Sequence, residues 1–196
     1  MRLGLKINNS ILKNRKKDTK RVKKECDELL KNAFSSFEHG VEHLVDGVNE
    51  KNIKFSILHI FNAIELIIKY YLLDENEVLI LTNIDDKNYL KNDNIKDDDQ
   101  STADIRTLLL RMNRFSDYVF TDDFLENIEK LRKKRNLIEH KKFVIEDEKD
   151  ILKILFFIVE GFVDFVFLLE SSAPFEDIGF SERWVNNLGS RLADYL

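Results

Sequence analysis

Between Thr19 and Glu170, on either side of a polar stretch at 83–100, the apolar residues recur in long runs every three or four positions. The 196 residues include one proline, Pro174, and six glycines. Turn-dense β architectures need more of both, so the periodicity and the scarcity of breakers point together to long helices. Apolar residues at 43% supply a substantial core, and the length suits one domain with appendages.

The first helix is expected from Thr19 to about Asn49, with Val22, Cys26, Leu29, Leu30, Ala33, Phe34, Phe37, Val41, Leu44 and Val48 along its apolar side. Gly40 and Gly47 weaken it without ending it. A second helix, about Asn52 to Leu73, is apolar on most sides and is expected to be buried. Val78 to Leu81 fits a short strand or a helix tail. Residues 83–100 form an Asp-rich polar loop. It fails as a calcium loop, because Ile95 falls at the third-ligand position and no glycine follows at the sixth. Ser101 or Thr102 can cap a third helix that runs to about Phe115, and Thr121 a fourth that runs to about Lys141. A fifth spans about Asp147 to Glu170. Its Lys153, Glu160 and Asp164 fall within about 40° on a helical wheel. That narrow polar stripe indicates a central helix or a dimer face, since a lipid-facing span does not carry three charges cheaply. The expected fold is all-α: an antiparallel helical bundle of four to five long helices with a short C-terminal helix, Ser181 to Leu196. The expected division is a basic N-terminal arm over 1–18, the bundle over 19–172 and a helical appendage over 173–196.

The net charge of −5 conceals a strong asymmetry. Residues 1–24 hold ten Lys/Arg against Asp18, and residues 129–142 hold seven against Glu129 and Glu139. An acidic protein with two concentrated basic segments can still hold a polyanion locally, because screening confines the far field to about 10 Å. A solvated arm and a solvated helix face are the plainer account. The single Cys26 forms no internal disulfide, so a reducing cytoplasm is the natural compartment, and the N-terminus shows no apolar run of signal-peptide length.

Phosphate loops, nucleophile elbows and paired zinc cysteines are absent. Cys26 sits in the apolar register of the first helix and is expected in the core. His39 and His43 have metal-compatible spacing, but the pattern is E-H-G-V-E-H and no third ligand follows from sequence. A solvated face is therefore expected there, with no metal and no cofactor assigned. His59, on an apolar helix, fits a core or interface position.

The informative segment is Leu131-Arg-Lys-Lys-Arg-Asn-Leu-Ile-Glu-His140. The apolar stripe Phe124, Ile128, Leu131 continues into Arg135 and then Ile138, so an arginine stands where leucine is expected. The second helix has a matching oddity, Glu65 within the stripe Leu58, Phe61, Ile68, Leu72. A buried Arg135–Glu65 ion pair that sets helix register is one account. An arginine held in a cleft for an anion is the other. His140 could complete a site, although it lies about 140° from Arg135 on an ideal helix. Bending of the long Arg, loosening of the helix or a facing second copy would bring the two together.

Arg135-Asn136-Leu137-Ile138-Glu139-His140, the lead-in Ile128 to Arg132 and the helix Phe61-Asn-Ala-Ile-Glu-Leu-Ile-Ile-Lys69 together resemble the HEPN superfamily (higher eukaryotes and prokaryotes nucleotide-binding domains). Its signature is an Arg, four to six residues and a His, on one of a similar order of helices. The resemblance covers roughly residues 20–170. It implies a helical homodimer that places two Arg–His segments in one cleft, and a metal-independent endoribonuclease of the toxin–antitoxin or phage-defence kind. Arg135 would hold the scissile phosphate, His140 would act as general base or acid, and Asn136 would orient the substrate or the His. Lys133, Lys134, Lys141 and Lys142 flank the motif and could bind backbone phosphates. Glu65 would position Arg135, an expectation from the stripe. The implied partners are RNA, a second copy and a cognate antitoxin or nucleotidyltransferase, with no membrane. Some members carry a Tyr two residues after the His as the target of such a nucleotidyltransferase; Lys142 stands there in this chain. The alternatives are a non-catalytic helical dimer that binds nucleotide or RNA or regulates a partner, and a nucleotide sensor without cleavage.

Overall fold

The computed structural model of the chain describes residues 19–46, 49–82, 101–116, 118–140, 144–145 and 147–170. The expected basic arm, the Asp-rich loop, Lys141, Lys142 and the expected C-terminal helix lie outside them. Five α-helices are described: α1 Thr19–Val45, α2 Glu50–Glu75, α3 Ile105–Phe115, α4 Asp122–His140 and α5 Glu148–Glu170, with a 3₁₀ turn at Glu77–Ile80. No strand occurs among the described residues, so the chain is all-α.

α1 and α2 form an antiparallel hairpin. His43 meets Phe55, Gly40 meets Ile60, Ser36 accepts a hydrogen bond from Asn62, and Arg21 pairs with Glu77, so numbers fall on one helix as they rise on the other. The turn is set by Asn49, whose side chain accepts from the Asn52 backbone N–H at 3.0 Å and satisfies one of the open donors at the start of α2. Gly40 permits the close approach. A Cβ there would lie 2.7 Å from Ile60 Cγ1 and 3.1 Å from Ile60 N.

α2 is the hub. α1, the 3₁₀ turn, α3, α4 and α5 all pack against it. This explains its composition: Ile53, Ile57, Ile60, Ile64, Ile67, Ile68, Leu72 and Leu73 are buried around most of the helix. α2 is also long and apolar enough to cross a membrane by length and composition. Within the fold, its neighbours cover those apolar residues. Each buried aliphatic side chain removed from water is worth about 1.5–3 kcal/mol. α2 is thus buried on most sides, as its composition leads one to expect. α5 packs on α4 and α2, and its Phe162 reaches α1, stacked on Phe37 at 4.3 Å and edge-on to Phe34 at 6.4 Å. Lys153 of the expected polar stripe is exposed.

The run Val78 to Leu81 is neither of the two simple alternatives. It makes a 3₁₀ turn, and Leu81 then forms an isolated antiparallel bridge with Thr102. Thr82 N–H donates to Ser101 O at 2.9 Å and Ala103 N–H to Ile80 O at 2.8 Å, which closes the base of the 83–100 segment. Arg111 of α3 is buried against this bridge, and its Nη1 donates to the carbonyls of Leu79 at 2.7 Å and Leu81 at 2.6 Å.

Helix starts follow capping chemistry. Thr121 Oγ1 accepts from the Phe124 N–H, as expected, and Asp147 accepts from the Asp150 N–H. At α3 the expected Ser101 or Thr102 cap is corrected. Asp104 is the cap, accepting from the Thr107 N–H at 2.8 Å, because Ser101 and Thr102 are held in the bridge. That amide hydrogen bond lowers the Asp104 carboxyl below its ordinary value.

Candidate functional site

The C-terminal half of α4 carries the candidate site. Phe124, Ile128 and Leu131 are buried and fix the rotation of α4 against the bundle. Continuing that stripe by four residues brings Arg135 to the edge of the core, not into it. Its side chain is 35% exposed, and its guanidinium carbon lies 5.6 Å from the centroid of the buried Phe61 ring of α2. The aliphatic stem and the cation–π contact account for an arginine at an apolar position without burying its charge.

The expected Arg135–Glu65 pair is not formed. Glu65 is bound by Lys69 at 2.6 Å, one turn along the same helix, and Lys69 also donates to Thr102 Oγ1 at 3.0 Å. Lys69 is the more buried partner, 11% exposed against 25% for Glu65. The geometry is local: an i,i+4 pair forms within one helix, whereas Arg135 emerges one turn away, over Phe61. The Glu and Lys of the Phe61–Lys69 segment thus have a structural task, anchoring α2 to the strand-like entry of α3.

The carboxylate that meets Arg135 is Glu139. Arg135 Nη1 lies 2.8 Å from Glu139 Oε2 and 3.3 Å from Asn136 Oδ1. His140 Nε2 lies 3.8 Å from the same Glu139 oxygen, and the His140 side chain is 73% exposed. Glu139 therefore gathers Arg135 and His140, which the helical wheel separates. Sequence reasoning did not single out Glu139. Its signal was its place four residues after Arg135, the spacing of a helical ion pair. Among the described residues, no hydrogen bond from the Nε or Nη2 atom of Arg135 is found. Lys133 is exposed and Lys134 half-buried on the same two turns.

The lead-in segment has its own network. Glu129 takes Arg132 at 2.9 Å by both nitrogens, and also Arg106 of α3, at 2.5 and 3.0 Å. The bonds from Arg132 and then Arg106 hold the Glu129 carboxyl well below the usual carboxylate range. A carboxylate depressed in the fold contributes stability fully above its unfolded value, about 4.3, and loses it as pH falls through the folded value. Glu129→Gln should then cost about 1–2 kcal/mol at pH 7. In urea titrations the gap to wild type should narrow below about pH 4; a gap independent of pH would refute this account. Arg106 and Glu129 also line a groove of about 280 Å³ between α3 and α4, together with Ile105, Leu109, Leu125 and Ile128. That groove lies toward the N-terminal half of α4 and does not include Arg135 or His140.

The chain is thus an all-α bundle that presents a basic, half-exposed Arg–His turn on one helix. Compared with protein-family models, curated proteins and solved structures, it matches none.

Proposed function

We propose that this chain is a metal-independent endoribonuclease, a cytoplasmic toxin or phage-defence effector, acting as a homodimer in which two Arg–His turns share one cleft. The observation that carries the reading is a half-exposed Arg135 over Phe61 that shares the Glu139 carboxylate with an exposed His140. A planar fork of that kind suits a phosphodiester, and an exposed imidazole can reach a substrate proton. In the proposed reaction His140 takes the proton of a ribose 2′-hydroxyl. That oxygen bonds to phosphorus, and the P–O5′ bond breaks. The products are a 2′,3′-cyclic phosphate and a 5′-hydroxyl, with the leaving oxygen protonated by the imidazole of the second copy. Arg135 stabilises the charge on the phosphoryl oxygens. Asn136 and Glu139 position Arg135, and Lys133 and Lys134, with Lys141 and Lys142, hold flanking phosphates.

The test is incubation of purified wild type and His140→Ala with total cellular RNA in EDTA, followed by mapping of the cut ends. Cleavage by wild type alone with cyclic-phosphate ends supports the reading. Absence of cleavage by a confirmed dimer abandons it.

The Arg135–Glu139 pair favours a second reading, a non-catalytic helical dimer that binds nucleotide or RNA or regulates a partner, because that carboxylate already occupies part of the guanidinium. Thermal stabilisation by a mononucleotide without cleavage would select it.

A further inference from the structure

The α3–α4 groove lies outside the Arg–His turn, and the proposed reaction does not use it. Its walls are mainly apolar, with Ile105, Leu109 and Leu110 from α3 and Leu125 and Ile128 from α4. Leu110 is 71% exposed while its neighbour Leu109 is buried. A single exposed leucine is ordinary, but this one lines an apolar groove, the kind of surface that takes a partner. A volume of about 280 Å³ lies just below the range of small-molecule sites, so it suits one or two inserted side chains.

The path of the chain indicates which side chains reach it. The α3–α4 connection, residues 116–121, stands at one end of the groove, and the Arg106–Glu129 pair lies toward the other. α5 runs back along α4 to the connection end, because its Gly161 lies against the ring of Phe124 in the first turn of α4. From Gly161 to Glu170 α5 continues about 13 Å further. Residues 171–196 follow from there. Fully extended, residues 171–180 span up to about 33 Å, twice the length of α3 at about 16 Å. Beyond them Trp184, Leu188, Leu192 and Tyr195 fall within about 80° on a helical wheel, the spacing of a helix that lays one face in a groove.

We propose that residues 181–196 dock as a helix in the α3–α4 groove of their own chain, with Trp184, Leu188 and Leu192 against Leu109, Leu110 and Leu125. A free helix of that length is marginal in water, and burial of its apolar face supplies what it lacks. The tether favours this occupant over a separate partner. A short flexible linker holds the segment at an effective concentration in the millimolar range, so a shallow groove suffices.

Trp184 is the one tryptophan of the chain, so its fluorescence reports on this segment alone. The experiment measures Trp184 emission and acrylamide quenching in the full chain. In wild type the emission should lie to the blue of the urea-unfolded chain, with quenching several-fold weaker, and both should be unchanged on dilution. Leu110→Asp on the groove side and Leu188→Asp on the segment side should each move both readings toward the unfolded values, with the bundle still folded by circular dichroism. Leu110 is exposed enough for the bundle to tolerate the change. Val144→Asp, at a site 57% exposed beyond the far end of α4, should leave Trp184 shielded. Emission at the unfolded position in wild type, or shielding that survives Leu110→Asp, overturns the proposal. Shielding lost on dilution also overturns it, because the occupant then comes from a second copy. None of these readings depends on RNA cleavage, so the groove and the Arg–His turn stand or fall separately.

Discussion

His140→Ala is expected to lower RNA cleavage by about 10²–10⁴-fold, the span that positioned proton transfer contributes. Arg135→Ala should lower it by about 10²–10³-fold, as loss of a charge-stabilising donor does. Both variants should remain folded. His140 is 73% exposed, and Arg135 is joined to the fold by a part-exposed i,i+4 ion pair and a ring contact. Such contacts are worth at most about 1 kcal/mol, far less than a buried ion pair across helices. Loss of cleavage with an unchanged unfolding curve is therefore a clean result. Arg135→Lys should recover little, because an ammonium replaces the charge but not the planar fork. If Arg135→Ala unfolded the chain or left cleavage intact, the catalytic role would be abandoned.

The second large effect concerns the seam between the first and last described helices. Phe162→Ala should destabilise the fold by about 3–5 kcal/mol. The ring is 1% exposed and fills the space between Phe34 and Phe37. Its removal deletes burial and leaves a cavity that two rigid rings close poorly. Domains of this size have about 5–15 kcal/mol in hand, so the urea midpoint should fall by a large fraction. Phe162→Leu, which keeps most of the volume, should cost much less. A loss below about 1 kcal/mol for the alanine variant would mean that α5 does not close the core in solution.

Much of this fold is legible in local sequence chemistry. The 3–4 spacing marks all five helices, and Thr121 marks the start of α4. Cys26 is buried, as its register requires. The errors arise where a tertiary contact competes with a local rule. Ser101 and Thr102 have capping chemistry, but the bridge to Thr82 and Leu81 takes them, and the cap moves to Asp104. Glu65 and Arg135 share the look of core-facing opposite charges, yet Lys69, four residues from Glu65, wins that carboxylate. Arg111 escaped notice although it stands three residues after the buried Leu108, because nothing local signals its two carbonyl partners more than 29 residues away. Of the candidate site, Arg135 was legible as an outlier in an apolar stripe. Glu139 was not, since a charged residue on an exposed helix turn is unremarkable until its partner is placed.

The hairpin register has a kinetic side. Its contacts run from His43–Phe55 near the turn out to Arg21–Glu77, 56 residues apart, so each closed pair shortens the loop for the next. The hairpin can close progressively from its turn, and the helices that follow in the chain then find a finished surface on α2. On that order the Phe162–Phe37 stack forms late. Its loss should appear mainly as faster unfolding in stopped-flow urea jumps, with the refolding arm little changed. An equal slowing of refolding would place α5 in the nucleus instead.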